Sequence, residues 1–204
     1  MKTIKTTIAI LAMIMITACS GDDSKTTEEP LSERLEYENN TETIIPDGSE
    51  TGVTIILNVD EDKNVIDPSK IFLEITLDHQ IAVDLSLGYT MPSASQFQGI
   101  FSGLGGLNKF SRENVLSFNA THTAVISENP SFLYPNSTVP QGNYKQASTN
   151  SEFPVETSLF SSMMSKNING AWKFFLKDDF GPDEGKIIKI KLIFDEGALE
   201  VTNN

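Results

Sequence analysis

The stretch from Asn169 to Phe194, NGAWKFFLKDDFGPDEGKIIKIKLIF, decides how the chain is read. In its first half Trp172, Phe174 and Leu176 alternate with Lys173 and Lys177, and in its second Ile188, Ile190, Leu192 and Phe194 alternate with Lys189 and Lys191. A period of two sends each apolar set to one face of a β-strand, where it can pack on another sheet. Between the halves, DDFGPDEG carries Gly181, Pro182 and Gly185, the residues of a turn. The stretch therefore predicts two strands joined as a hairpin.

Upstream, the same period recurs. VTIILNV alternates Val53, Ile55, Leu57 and Val59, and KIFLEITL alternates Ile71, Leu73, Ile75 and Leu77. Ile81, Val83, Leu85 and Leu87 resume it beyond a polar break at Asp78-His79-Gln80. Short strands, turn signals and no helical period predict an all-β sandwich. The middle, from Gln96 to Pro154, is less regular. FSGLGGLNKF matches neither a GxxxxGK[ST] loop nor a GxGxxG before a helix, and reads as a flexible or flat loop rather than a phosphate cradle. VLSFNATHTAVI reads as a strand pair, 127–154 as loop, and Ser158–Met164 as a short helical turn.

These blocks resemble the P domain (P/Homo B), the β-sandwich that follows the catalytic domain in proprotein convertases and many bacterial subtilisin-like proteases. Ile45-Pro46-Asp47 matches the family's opening, His79, Asp84 and Leu85 its H-x-x-x-G-D-L element, and Pro92 its turn proline. Gly170, Trp172, Asp178, Asp183, Gly185, Leu192 and Phe194 match its closing block. Val83 and Ala94 stand where the family has glycine, which puts the backbone of those two turns in question. The resemblance implies a jelly-roll-like antiparallel β-sandwich over residues 44–195, with 196–204 as a C-terminal tail. It also makes His79 and Asp84 structural.

The N-terminus carries an address. Lys2 and Lys5 precede the apolar run Ile8–Ile16, too short to span a bilayer but the length of a signal-peptide core. Ile16-Thr17-Ala18-Cys19 resembles the lipobox of bacterial lipoproteins, and Cys19 is the chain's one cysteine. That implies a signal peptide over 1–18, an acylated Cys19 and a stable bilayer anchor. Asp22 and Asp23 resemble the acidic export tag of surface lipoproteins of Bacteroidota type. The expected location is the bacterial outer membrane, exposed at the surface. With eight acids against two bases from Ser20 to Thr43, residues 19–43 read as a flexible acidic tether, a brief helical turn at Leu31–Tyr37 aside.

Chemistry is sparse. A net charge of −13 argues against nucleic acid as partner. His79 and Asp84 sit five apart, but no GxSxG elbow accompanies them, and His122 reads as an ordinary histidine. The acidic stretch leaves two readings: Asp178 and Asp183, with Asp179 and Glu184, could hold calcium, or the turn is simply solvated. The solvated reading is the expectation, because the spacing is not that of an EF-hand. Otherwise no cofactor is expected. The chain reads as no enzyme but a cell-envelope module binding a protein or glycan; the alternative is a stabilising subunit docking in trans on an envelope serine protease.

Overall fold

The computed structural model describes residues 33–48, 51–104, 108–126, 137–148, 153–180 and 184–201. Its strands are β1 (Leu35–Asn39), β2 (Thr43–Ile45), β3 (Val53–Val59), β4 (Lys63–Val65), β5 (Ile71–Thr90), β6 (Gln98–Leu104) and β7 (Asn108–Phe110), then β8 (Val115–Phe118), β9 (Ala124–Val125), β10 (Gly142–Lys145), β11 (Ala147–Ser148), β12 (Gly170–Phe180), β13 (Gly185–Phe194) and β14 (Leu199–Val201). One-turn 3-10 helices lie at Pro68–Lys70 and Ser161–Met163. The all-β sandwich expected from the period of two is the fold that forms. Its ladders are antiparallel, except that β10 pairs in parallel with β8 and β9, and β11 with β6.

The organising element is β5, a single strand of 20 residues. Sandwich strands usually run to ten residues or fewer, so a strand this long must leave one sheet and enter the other. Its first half pairs with β13 and β8, its second with β12 and β6, and the ladder with β7 is irregular between His79 and Ala82. The polar break expected at 78–80 is therefore no chain break. It is the corner of a continuous strand, of the kind that lets one strand serve two sheets.

The closing hairpin is overturned by the same register. Lys173 faces Thr90 and Phe180 faces Val83, while Lys186 faces Asp78 and Phe194 faces Ile71. Both β12 and β13 thus run antiparallel to β5, in one direction, and they do not pair with each other. The register of the two strands on β5 shows no hairpin where the glycines and proline of the sequence predict one. β13 also carries an irregularity between Ile187 and Lys189, which makes Ile187 the inward residue where the alternation predicts Ile188.

Inward rows from both sheets form one core: Ile55, Leu57 and Val59; Ile71 to Leu77; Leu85 to Tyr89; Trp172 to Leu176; Ile190 to Phe194. Trp172 is fully buried, donates its indole N–H to the Ile168 carbonyl at 3.0 Å, and meets Phe194 edge-on at 5.7 Å. Such edge-on pairs add stabilisation beyond burial.

Three boundaries move. Residues 35–39, read as tether, form β1 against β13, and β2, against the same strand, starts at Thr43, so the sandwich begins before residue 44. Leu35 and Tyr37 pack on the core, while Glu36 meets Lys191 at 2.6 Å and Glu38 meets Lys189 at 2.8 Å. The acids that suggest disorder are cross-strand partners of lysines far along the chain. At the other end, the expected tail includes β14, which pairs with β4 and buries Ala198 and Leu199. The glycine-rich stretch read as a loop supplies β6 and β7; Gly88 faces Gly99 across the β5–β6 ladder.

Candidate functional site: a buried pair at the corner of β5

Extending each inward row by one step of two brings a polar residue indoors. The row of β5 (71, 73, 75, 77) ends on His79, and that of β12 (172, 174, 176) ends on Asp178. The two meet: His79 Nε2 lies 2.7 Å from Asp178 Oδ2, and both side chains are 0% exposed. A hydrogen bond between ionisable partners at this distance is strong, and a buried one cannot lose a member cheaply. The other ring nitrogen, Nδ1, has no hydrogen-bond partner among the described residues.

Gly185 closes the pocket from β13. A Cβ at this position would overlap Cδ2 of the His79 ring and come within 2.8 Å of Nε2. The residues that carry the P-domain resemblance meet again at the far end of β12. Gly170 has φ +124, and a Cβ there would stand 3.0 Å from Cβ of Pro92. In the turn after Pro92 the positive φ falls on Ser93 (68°) and not on Ala94, the position where the family has glycine.

The neighbours of the pair point outward. Asp78 binds Arg112 at 3.0 Å, and Arg112 reaches Glu42 at 3.5 Å. Asp179 pairs with Lys177 at 2.8 Å and Glu184 is exposed, so the described carboxylates of the acidic stretch diverge from Asp178. Among the described residues no three His, Cys, Asp or Glu side chains come together as a metal-sized cluster. Asp183 lies outside the described residues, as do Cys19, Asp22 and Asp23, and so does the side chain of Asp84. His122 is half-buried; its Nδ1 lies 3.2 Å from the carbonyls of Ser117 and Tyr144, tying β8 to β10. The carboxylate five residues from His79 in sequence is Asp84, but the one that meets its ring is Asp178, 99 residues away, which the sequence offers only as a closing-block match and a calcium candidate.

Chemically, the pair lacks access. An imidazole–carboxylate couple acts as base or relay only where a substrate atom can come within hydrogen-bond reach, and here both side chains are sealed from solvent. Its evident work is to fix the corner, where β5, β12 and β13 converge.

No protein-family model matches the sequence, and no curated protein does either. Among solved structures, the chain is similar to the crystal structure of the complex of an Aeromonas sobria serine protease and a chaperone, with TM-score 0.46 and 13% identity. The match covers 81% of this chain and 27% of that one, so the chain spans just over a quarter of the length of the structure it matches.

Proposed function

We propose that the chain is a non-catalytic, P-domain-like binding module held at the bacterial outer membrane through acylated Cys19 and exposed at the surface by Asp22 and Asp23. The observation that carries the non-catalytic reading is the sealed His79–Asp178 couple, 2.7 Å apart and 0% exposed: the motif residues that resemble machinery are used to hold the fold. The fit of His79 against Gly185, and of Pro92 against Gly170, also favours the P-domain reading, since residues distant in sequence form mutually dependent pairs. The module needs no cofactor, and a melting temperature that falls with chelator would instead indicate calcium at Asp178 and Asp183. Its ligand is a protein or glycan met by a rigid sandwich.

The test is capture from envelope extracts with the full chain as bait. Glycan or matrix components support this reading, and a stoichiometric serine protease would replace it with docking in trans. Fatty-acid labelling that persists in Cys19→Ala would remove the anchor.

A further inference from the structure

The outer face of the β13–β5–β8–β10 sheet carries a shallow open groove of about 310 Å³, lined by Glu74, Val115, Ser117, Gln141, Gly142 and Asn143. Three of these form a row fixed by register: Glu74 faces Ser117 across β5–β8, and Ser117 faces Asn143 across β8–β10. Adjacent strands lie about 4.8 Å apart, so the row spans on the order of 10 Å. Glu74 also faces Lys191 on its other side, yet Lys191 binds Glu36, at 2.6 Å. Among the described residues the side chains of Glu74, Ser117, Gln141 and Asn143 make no hydrogen bond or ion pair.

The backbone beneath is cross-tied by hydrogen bonds. His122 ties the Ser117 and Tyr144 carbonyls, and the Tyr144 hydroxyl donates to the Pro140 carbonyl at 2.9 Å. Gly142 lies over the Tyr144 ring, close enough that a Cβ would stand 3.2 Å from it. Unspent donors and acceptors on a fixed surface bind without the ordering cost of a loop.

We propose that this groove is a subsite for a neutral saccharide, about two linked sugar rings long. The inference rests on the binding-module reading and narrows its ligand. A carboxylate, a hydroxyl and an amide in a row, with the Gln141 amide beside them, match a ligand that offers vicinal hydroxyls as both donors and acceptors. Exposed Val115 adds a small apolar contact for the C–H face of a ring. The chain's net charge of −13 disfavours an anionic ligand.

The test is native electrophoresis of the full chain through gels containing mannan, xylan or laminarin. Wild type should be retarded by at least one of them. Glu74→Ala and Asn143→Ala should each weaken that retention on the order of ten-fold or more, as loss of a hydrogen bond to a charged or amide group does. Both positions are on the outer face, so melting temperatures should stay at the wild-type value; Glu74→Gln, which keeps the shape, serves as the second variant. Retention unchanged in all three variants overturns the groove but leaves the binding module standing. Absence of retardation in every gel overturns the saccharide, even where the envelope capture yields a protein. Retention on immobilised polylysine alone, lost in Glu74→Gln, overturns it in favour of a cationic ligand.

Discussion

The imidazole of His79 occupies the space in which a side chain at position 185 would begin, so Gly185 and His79 specify each other across the β5–β13 ladder. Gly185→Ala forces either the ring or β13 to move. His79 is fully buried and bonded to Asp178, so it has no free direction in which to retreat. Overpacking of a core typically costs about 1–3 kcal/mol, and displacing the His79–Asp178 bond adds to that. The expected loss is about 3 kcal/mol, read as a lower urea midpoint with an unchanged m-value; a midpoint equal to wild type would show that the corner yields freely.

The pair itself makes a prediction in which two substitutions cost less than one. Removing one member leaves a buried polar group without its partner, at about 3–5 kcal/mol for His79→Ala or Asp178→Ala. Replacing both with apolar residues of similar volume, His79→Phe with Asp178→Leu, should cost less than the worse single variant. A double-mutant cycle by thermal or urea unfolding measures this. Additive losses would mean that the two side chains do not depend on each other.

How far the sequence reached is visible at these same residues. Alternation alone placed β3, the first half of β5 and β12 correctly, because an inward apolar row needs nothing beyond its own segment. His79 and Asp178 continue their rows in phase, yet alternation passes over both. A polar residue there looks like the end of a strand, because nothing local says that a partner waits across the core. The hairpin failed for a related reason: Gly and Pro announce a departure from regular backbone, not its direction, and direction is set by the pairing of both strands with β5. β1 was hidden because Glu36 and Glu38 read as solvated acids until Lys191 and Lys189 are brought opposite them. The groove residues Glu74, Ser117 and Asn143 come from three separate strands and share no motif at all.

Trp172→Ala should cost about 3–5 kcal/mol, the range for truncating a large aromatic in a packed core. The side chain is fully buried, packs against Phe160 and Phe194, and its N–H is used by the Ile168 carbonyl. Trp172→Phe keeps most of the volume and loses the hydrogen bond, so it should fall well short of that loss. Equal melting temperatures for wild type and Trp172→Ala would take the ring out of the core.

The seam along β1 should respond to acid before the core does. Burial pushes Glu36 up, but its bonds and attraction to Lys191 and Arg34 outweigh this and hold it below the ordinary value. Glu38 is held down by Lys189 and Asn40. A carboxylate depressed in the folded state contributes stability that is fully present above its unfolded pKa, about 4.3, and is lost as pH falls through the folded value. Each pair is half-exposed, so the stabilisation is small, at most about 1 kcal/mol per pair. Amide exchange in Leu35–Asn39 should therefore quicken below about pH 4, and at high salt, while β5 stays protected. Glu36→Gln with Glu38→Gln should remove the pH step. Loss of protection in β1 and β5 together would show that β1 is not a separate unit.

The acidic stretch separates two outcomes. A calcium ion bound there would stabilise the fold by RT ln(1 + [L]/Kd), about 2.7 kcal/mol at a hundred-fold excess over Kd. Chelator would then lower the melting temperature, and Asp183→Asn would abolish the effect. Asp178, however, points into the core and gives Oδ2 to His79, while Asp179 is engaged by Lys177. A calcium ion takes six to eight oxygens, and to recruit Asp178 it would have to break a buried bond that His79 cannot replace. The expected result is a melting temperature indifferent to chelator, with Asp183→Asn neutral and Asp178→Asn destabilising in the presence and absence of calcium alike. A chelator-dependent drop that vanishes in Asp183→Asn would mean that the ion wins Asp178 from His79, and that the corner has two states.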